Sequence, residues 1–175
     1  MILRNFGNDK ASGPPLLFFG SRSLLSNCDN YNFTLTVTLA LGSNLGDRHA
    51  TLITARRLIR RRIGLVIYES ELLETKAWGV EDQPDFLNQV ITVRYNPGSA
   101  AGAMQASLKT RLLHLLDLTQ GIEAALGRER KAHWGPRTCD IDIIFVDNIR
   151  FESERLSLPH PWWAERHFVR NLLSE

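Results

Sequence analysis

Asp140 and Asp142 stand two residues apart at the end of a basic stretch broken by glycine and proline. That stretch is Gly127-Arg128-Glu129-Arg130-Lys131-Ala132-His133-Trp134-Gly135-Pro136-Arg137-Thr138, and it runs directly into Cys139-Asp140-Ile141-Asp142-Ile143-Ile144-Phe145. The second segment reads as a strand, in which residues two apart share a face. Asp140, Asp142 and Ile144 then lie on one face. Cys139, Ile141, Ile143 and Phe145 lie on the other, which is apolar throughout and is expected to face the core. Paired carboxylates beside Arg128, Arg130, Lys131 and Arg137 admit two readings. One is a salt-bridge patch on an exposed sheet. The other is a metal–phosphate site, because Mg²⁺ binds through one or two carboxylates plus substrate phosphates, and guanidinium groups match phosphate oxygens. Two like charges this close repel each other unless a cation lies between them, which favours the second.

Other candidates are scattered along the chain. Glu74 to Asn88 is a polar loop with Gly79 and Pro84, too long for a tight hairpin, and long ordered loops are often functional. Within it Phe86 is either core or a shelf for a flat ligand. Gln120 and Glu123, three apart on a helix, share a face that surface polarity alone would explain. His160 sits in Arg155-Leu156-Ser157-Leu158-Pro159-His160-Pro161, an extended segment whose prolines block helix.

The elements that must position these residues follow from periodicity. Thr34 to Leu41 alternates polar and apolar as a half-buried strand. It ends in Gly42-Ser43-Asn44-Leu45-Gly46-Asp47, with Asp47 placed to cap a helix. This is not a P-loop, since no Gly-Lys-Ser/Thr follows. Arg48 to Arg62 has helical spacing of Leu52, Ile53, Ala55, Leu58 and Ile59, with Arg56, Arg57, Arg60, Arg61 and Arg62 on a solvated face or at the C-terminal end. Strands are expected at Leu65–Leu73 and Asn88–Tyr95, and an amphipathic helix at Leu112–Leu126. The Asp140 strand, a turn at Asp147-Asn148 and a last helical stretch from Glu165 complete the set. The order β–α–β–β–α–β is an α+β sandwich.

Three of these stretches, in this order, resemble the 6-hydroxymethyl-7,8-dihydropterin pyrophosphokinases of folate synthesis. They are Gly42-Ser43-Asn44-Leu45-Gly46-Asp47 after a strand, the run from Arg130-Lys131-Ala132 through Trp134-Gly135-Pro136-Arg137-Thr138 to Asp140-Ile141-Asp142-Ile143, and Arg155-Leu156-Ser157 with Pro159-His160 followed by Arg166 and Phe168. The resemblance implies a ferredoxin-like fold with a mainly antiparallel sheet. It also implies transfer of pyrophosphate from ATP to the pterin hydroxymethyl group, with AMP leaving. Asp140 and Asp142 are then the ligands of two Mg²⁺ ions, and act with Arg128 and Arg137 in catalysis. ATP contacts fall on Gln120, Glu123, Arg128, Arg130, Trp134, Arg137, Ile143, Arg155, Ser157, His160 and Arg166. Pterin contacts fall on Thr75, Trp78, Phe86, Asn88, Asp140 and Phe168, with the two phenylalanine rings stacking on the pterin. The chain departs from the family pattern at Lys76, where proline is usual, and at Phe86, where tyrosine is usual. Residues 97–111 look like an insertion, and the chain ends at Glu175 where the family continues, which bears on stability rather than chemistry.

Size and composition agree with one domain: 175 residues, 43% hydrophobic, net charge +2. Residues 1–33, rich in Asn, Ser, Gly and Pro, read as a disordered or loosely attached extension ahead of a domain at 34–175. The charge is too mild to make nucleic acid the main partner. No apolar run approaches the ~18 residues of a membrane helix. Cys28 and Cys139 show no ligand spacing, and Cys139 reads as a buried thiol in a reducing, cytoplasmic setting. A monomer acting on small molecules is expected. Two rivals stay open: a copy that binds pterin or nucleotide without turnover, and a ferredoxin-like sheet that stacks bases of nucleic acid on exposed aromatics.

Overall fold

The period-two run that opens the domain forms strand β1, Leu35–Ser43, in the computed structural model, which describes residues 34–77, 82–96, 106–129 and 135–173. Helix α1, Arg48–Arg62, follows, and the Asp47 carboxylate caps it by accepting from the Ala50 amide at 2.9 Å. The single strand expected over Leu65–Leu73 is instead two, β2 at Gly64–Glu69 and β3 at Leu73–Thr75. The break has a local cause. The Ser70 hydroxyl, rather than a backbone carbonyl, accepts from the Val90 amide at 3.0 Å, and so interrupts the regular ladder. Strand β4 spans Phe86–Tyr95, which brings Phe86 and Leu87 into the sheet ahead of the expected start at Asn88.

Helix α2 spans Leu108–Ala125 and begins a turn earlier than Leu112, because Ser107 caps it by accepting from the Thr110 amide at 3.2 Å. Residues 108–111 of the expected insertion are therefore helix, while 97–105 lie outside the described residues. Strand β5 is Asp140–Val146, β6 is Phe151–Glu152, β7 is Ser157–Leu158, and α3 runs His167–Leu173, two residues later than expected. Residues 1–33, Trp78, Arg130, Lys131 and Trp134 also lie outside the description.

The main sheet has the order β2-β4-β1-β5 with every neighbouring pair antiparallel, and β3 pairs with β4. Each half, β1-α1-β2 and β4-α2-β5, is a β-α-β unit split by one strand of the other half, which is the ferredoxin-like arrangement. One face of the sheet carries Leu35, Val37, Leu39 and Leu41 of β1 against Leu52, Ala55 and Ile59 of α1 and Leu112, Leu115 and Ile122 of α2. Each such leucine, isoleucine or valine contributes about 1.5–3 kcal/mol by leaving water. Arg56 does not belong to a solvated face of α1: it turns inward, donating to Gln89 Oε1 at 2.6 Å and pairing with Glu69 at 3.3 Å.

The opposite face is covered in part by α3, where Val169 packs on Ala40 and Ile144. The alternation along β5 changes phase there. Thr38 pairs with Phe145 and Leu39 with Ile143, so Ile144 is an extra residue in a β-bulge. Cys139, Ile141 and Ile143 face the helices as the alternation requires, but Phe145 does not. It lies on the α3 side, edge-on to Trp163 with ring centroids 5.0 Å apart. No described helix is long and apolar enough to cross a membrane.

Candidate active site

Up to Asp142 the alternation of β5 is undisturbed, so Asp140 and Asp142 project from the face of the sheet opposite α1 and α2. Each carboxylate already has cationic partners. Arg128, just beyond the C-terminal end of α2, donates to Asp140 Oδ1 at 2.5 Å. Arg137 donates to Asp140 Oδ2 at 3.0 Å, and Arg166, just before α3, donates to Asp142 Oδ2. Arg128 also donates to Glu123 Oε1, which in addition accepts from the Ile141 amide at 2.8 Å. Glu123 is only 4% exposed, so it is not the surface group that its helical position suggested.

The charges of this cluster are unequal in strength. Burial, reinforced by the neighbouring Asp142 charge, raises the Asp140 carboxyl above its ordinary range despite Arg137 and Arg128. Burial would raise Asp142 too, but the Arg166 charge and hydrogen bond outweigh it and hold Asp142 low. Burial pushes Glu123 up to about 7, against the opposing pull of Arg128 and the Ile141 amide. His160 is lowered by burial, with Asp142 acting the other way. Burial also pushes the Cys139 thiol up to about 12, so it stays protonated and unreactive at neutral pH.

Two cavities meet at the carboxylates. The larger, about 940 Å³, is lined by Gln120, Glu123, Arg128, Gly135, Pro136 and Thr138, and shares Arg137, Asp140, Asp142 and Arg166 with the second. The smaller, about 200 Å³, is lined by Gly42, Thr75, Lys76, Phe86, Asn88 and Phe168 beside those shared residues. Asn88 is 3% exposed, and its amide nitrogen donates to the Thr75 hydroxyl at 2.8 Å. The Arg137 guanidinium carbon lies 5.8 Å from the Phe86 ring centre. Gly42 forms the floor: a Cβ there would stand 3.2 Å from Asn88 Oδ1 and 3.4 Å from the Phe86 ring. A flat, hydrogen-bonding ring fits the smaller space, and a polyanion fits the larger.

The structure thus brings together Thr75, Phe86, Asn88, Asp140 and Phe168 around one cavity, and Gln120, Glu123, Arg128, Arg137, Asp142 and Arg166 around the other. Four expected ATP contacts, Ile143, Arg155, Ser157 and His160, line neither cavity. Arg155 is half-exposed and paired with Asp117 on α2 at 2.6 Å, and the Ser157 hydroxyl donates to Glu152 at 2.7 Å. The Ile143 side chain is buried in the helix-side core, which leaves only its backbone for a ligand. His160 accepts from the Trp162 amide at 3.2 Å, and its own amide donates to Ile144 O at 2.9 Å, so this segment rests on the outer edge of β5. Trp78, Arg130 and Trp134 lie outside the described residues. The sequence names Gly42 and Asn44 only within the stretch from Gly42 to Asp47 and Gln83 only within the loop from Glu74 to Asn88, with no role for any of them. Gly42 lines the smaller cavity, and Asn44 donates to Gln83 Oε1 at 3.0 Å.

Among the described residues no group of three or more His, Cys, Asp or Glu side chains could hold a metal ion unaided. Two carboxylates alone fit Mg²⁺ only with oxygens from a bound phosphate, which is how that ion is commonly held beside nucleotides.

Comparison with known proteins gives the family. Residues 38–175 match the family described as 7,8-dihydro-6-hydroxymethylpterin-pyrophosphokinase (HPPK). The chain is 39% identical over 140 residues to the 2-amino-4-hydroxy-6-hydroxymethyldihydropteridine pyrophosphokinase of Bacillus subtilis, covering 78% of this chain and 75% of that one. It is 38% identical over 143 residues to the protein of the same name from Porphyromonas gingivalis, covering 79% and 88%. The bifunctional protein FolKE of Lactococcus lactis is 38% identical over 135 residues, covering 77% of this chain but 35% of that one. Among solved structures, Plasmodium falciparum HPPK-DHPS superposes with a TM-score of 0.55 at 16% identity, over 79% of this chain and 37% of that one, a likeness of fold. The chain belongs to the HPPK family.

Proposed function

We propose that the protein transfers pyrophosphate from ATP to 6-hydroxymethyl-7,8-dihydropterin, releasing AMP, as a step of folate synthesis. The observation that carries this reading is the junction of a larger arginine-lined cavity and a smaller aromatic one at Asp140 and Asp142. Pyrophosphoryl transfer needs two substrates held end to end with their charge offset, and asks little covalent help of the protein. The triphosphate lies in the larger cavity, against Arg128, Arg137 and Arg166. The pterin lies in the smaller one, between Phe86 and Phe168, with its hydrogen-bonding edge toward Asn88 and Thr75. Its hydroxymethyl oxygen attacks the β-phosphorus. The bond from that phosphorus to the oxygen bridging to the α-phosphorus breaks, AMP departs with that oxygen, and the hydroxyl proton passes to solvent.

Asp140 and Asp142 are the residues that would hold Mg²⁺, two ions with the nucleotide bound, and the metal would supply charge neutralisation along the triphosphate. Arg128, Arg137 and Arg166 occupy the carboxylates meanwhile, and turn to phosphate oxygens as the nucleotide enters. Trp78, Arg130, Trp134, Ile143, Arg155, Ser157 and His160 complete the proposed contacts. The test is to mix protein, ATP, Mg²⁺ and the pterin and identify the nucleotide formed. AMP in amounts that depend on the pterin supports pyrophosphoryl transfer; ADP would mean ordinary kinase chemistry. Absence of turnover with both ligands bound would favour a binding-only copy.

A further inference from the structure

Asn44 follows the last residue of β1 and is 2% exposed. Its polar groups reach two segments distant in sequence. Its backbone amide donates to Arg137 O at 3.2 Å, and its side-chain oxygen accepts from the Arg137 amide at 2.7 Å. Together they clamp residue 137 in the manner of a short strand pair. The side-chain nitrogen donates to Gln83 Oε1 and to Pro84 O, both at 3.0 Å. Pro84 lies two residues before Phe86 and four before Asn88, the walls of the smaller cavity. Arg137 pairs with Asp140, where the two cavities meet. Arg48 secures the same loop from the other side by donating to Asp85 O at 2.8 Å.

We propose that Asn44 is a positioning residue, whose buried carboxamide fixes the loop that carries the pterin wall relative to the Arg137 arm of the carboxylate cluster. The inference rests on reading the smaller cavity as the pterin cavity. Only a carboxamide suits the post, since it offers an acceptor to Arg137 and donors to Gln83 and Pro84 at once. A carboxylate keeps the first contact and sets an acceptor against two more acceptors. The two arms are therefore separable by one substitution.

The experiment measures equilibrium dissociation constants at 25 °C for 6-hydroxymethylpterin, by its fluorescence, and for a non-hydrolysable ATP analogue with Mg²⁺. The proteins are wild type, Asn44→Asp and Gln83→Ala. Asn44→Asp is expected to weaken the pterin at least tenfold and the nucleotide analogue less than twofold. Gln83→Ala, which removes one acceptor from a partly exposed loop, is expected to weaken the pterin about threefold and leave the analogue unchanged. Equal weakening of both ligands, or loss of binding only in proportion to unfolded protein, overturns the proposal. If Asn44→Asp does not fold, Gln83→Ala decides alone. Because binding is read without turnover, a wild type that binds both ligands but releases no AMP would refute the proposed function and leave this comparison intact.

Discussion

Replacing Glu123 by glutamine should change how stability depends on pH. Glu123 Oε1 accepts from both the Ile141 amide and Arg128, so a glutamine oxygen in the same place keeps both contacts while the charge disappears. Burial raises the folded-state value from 4.5 to about 7. The folded protein then holds a proton that the unfolded chain has released, and stability falls as pH rises from about 4.5 toward 7. Integrating between pH 5 and pH 8, this one group costs roughly 2–3 kcal/mol of stability that the glutamine variant retains. Titrating groups remote from Glu123 are common to both proteins and cancel in the difference. Urea unfolding of both proteins at each pH measures it. With a slope of about 2 kcal/mol per molar urea, the variant's midpoint should gain about 1 M on the wild type between pH 5 and pH 8. A gap that stays constant within about 0.5 kcal/mol across that range would refute the reasoning, since it would mean that Glu123 titrates alike in both states.

Three further outcomes follow from the same geometry. Asp142→Ala leaves the partly buried Arg166 without its partner and removes a proposed metal ligand; turnover at saturating Mg²⁺ should fall about 10²–10³-fold and stability by about 1 kcal/mol, read by AMP release and urea unfolding. Gly42→Ala places a methyl 3.2 Å from Asn88 Oδ1. Titration should show the pterin weakened roughly tenfold, about 1.4 kcal/mol, with ATP binding unchanged. Leu115→Ala, at a fully buried position under α2, should cost about 2–5 kcal/mol by denaturation while turnover per folded molecule stays the same.

Much of this architecture could be read from the sequence because it rests on local periodicity. Alternation placed β1 and the first half of β5, and the face on which Asp140 and Asp142 lie follows from their spacing alone. Thr75, Phe86 and Asn88, which the family resemblance singles out within a polar loop, line one cavity. The features that escaped depend on contacts between residues far apart. Glu123 looks like a surface residue until Arg128 folds back over it and the Ile141 amide meets it from β5. Asn44 reads as turn chemistry until loops 39 and 93 residues further on supply its partners. The partition of β2 from β3 turned on one serine hydroxyl that competes with a backbone carbonyl, which no propensity scale records.

The extra residue in β5 has a consequence for how damage to this chain would appear. Ile144 allows one seven-residue strand to present carboxylates and then two successive apolar side chains on the same side of the sheet. Those apolar side chains are the seat of α3, and Arg166 and Phe168 reach the cavities from the start of that helix. Deleting the residue at position 144 would restore regular pairing, keep Phe145 on the α3 side and Val146 toward the helices, and take from α3 the buried Ile144 against which Val169 packs. The strand itself would survive, hydrogen-bonded to β1. Such a lesion, far down the hydrophobic half of the strand, would register first as lost affinity for ligand and only second as lost stability.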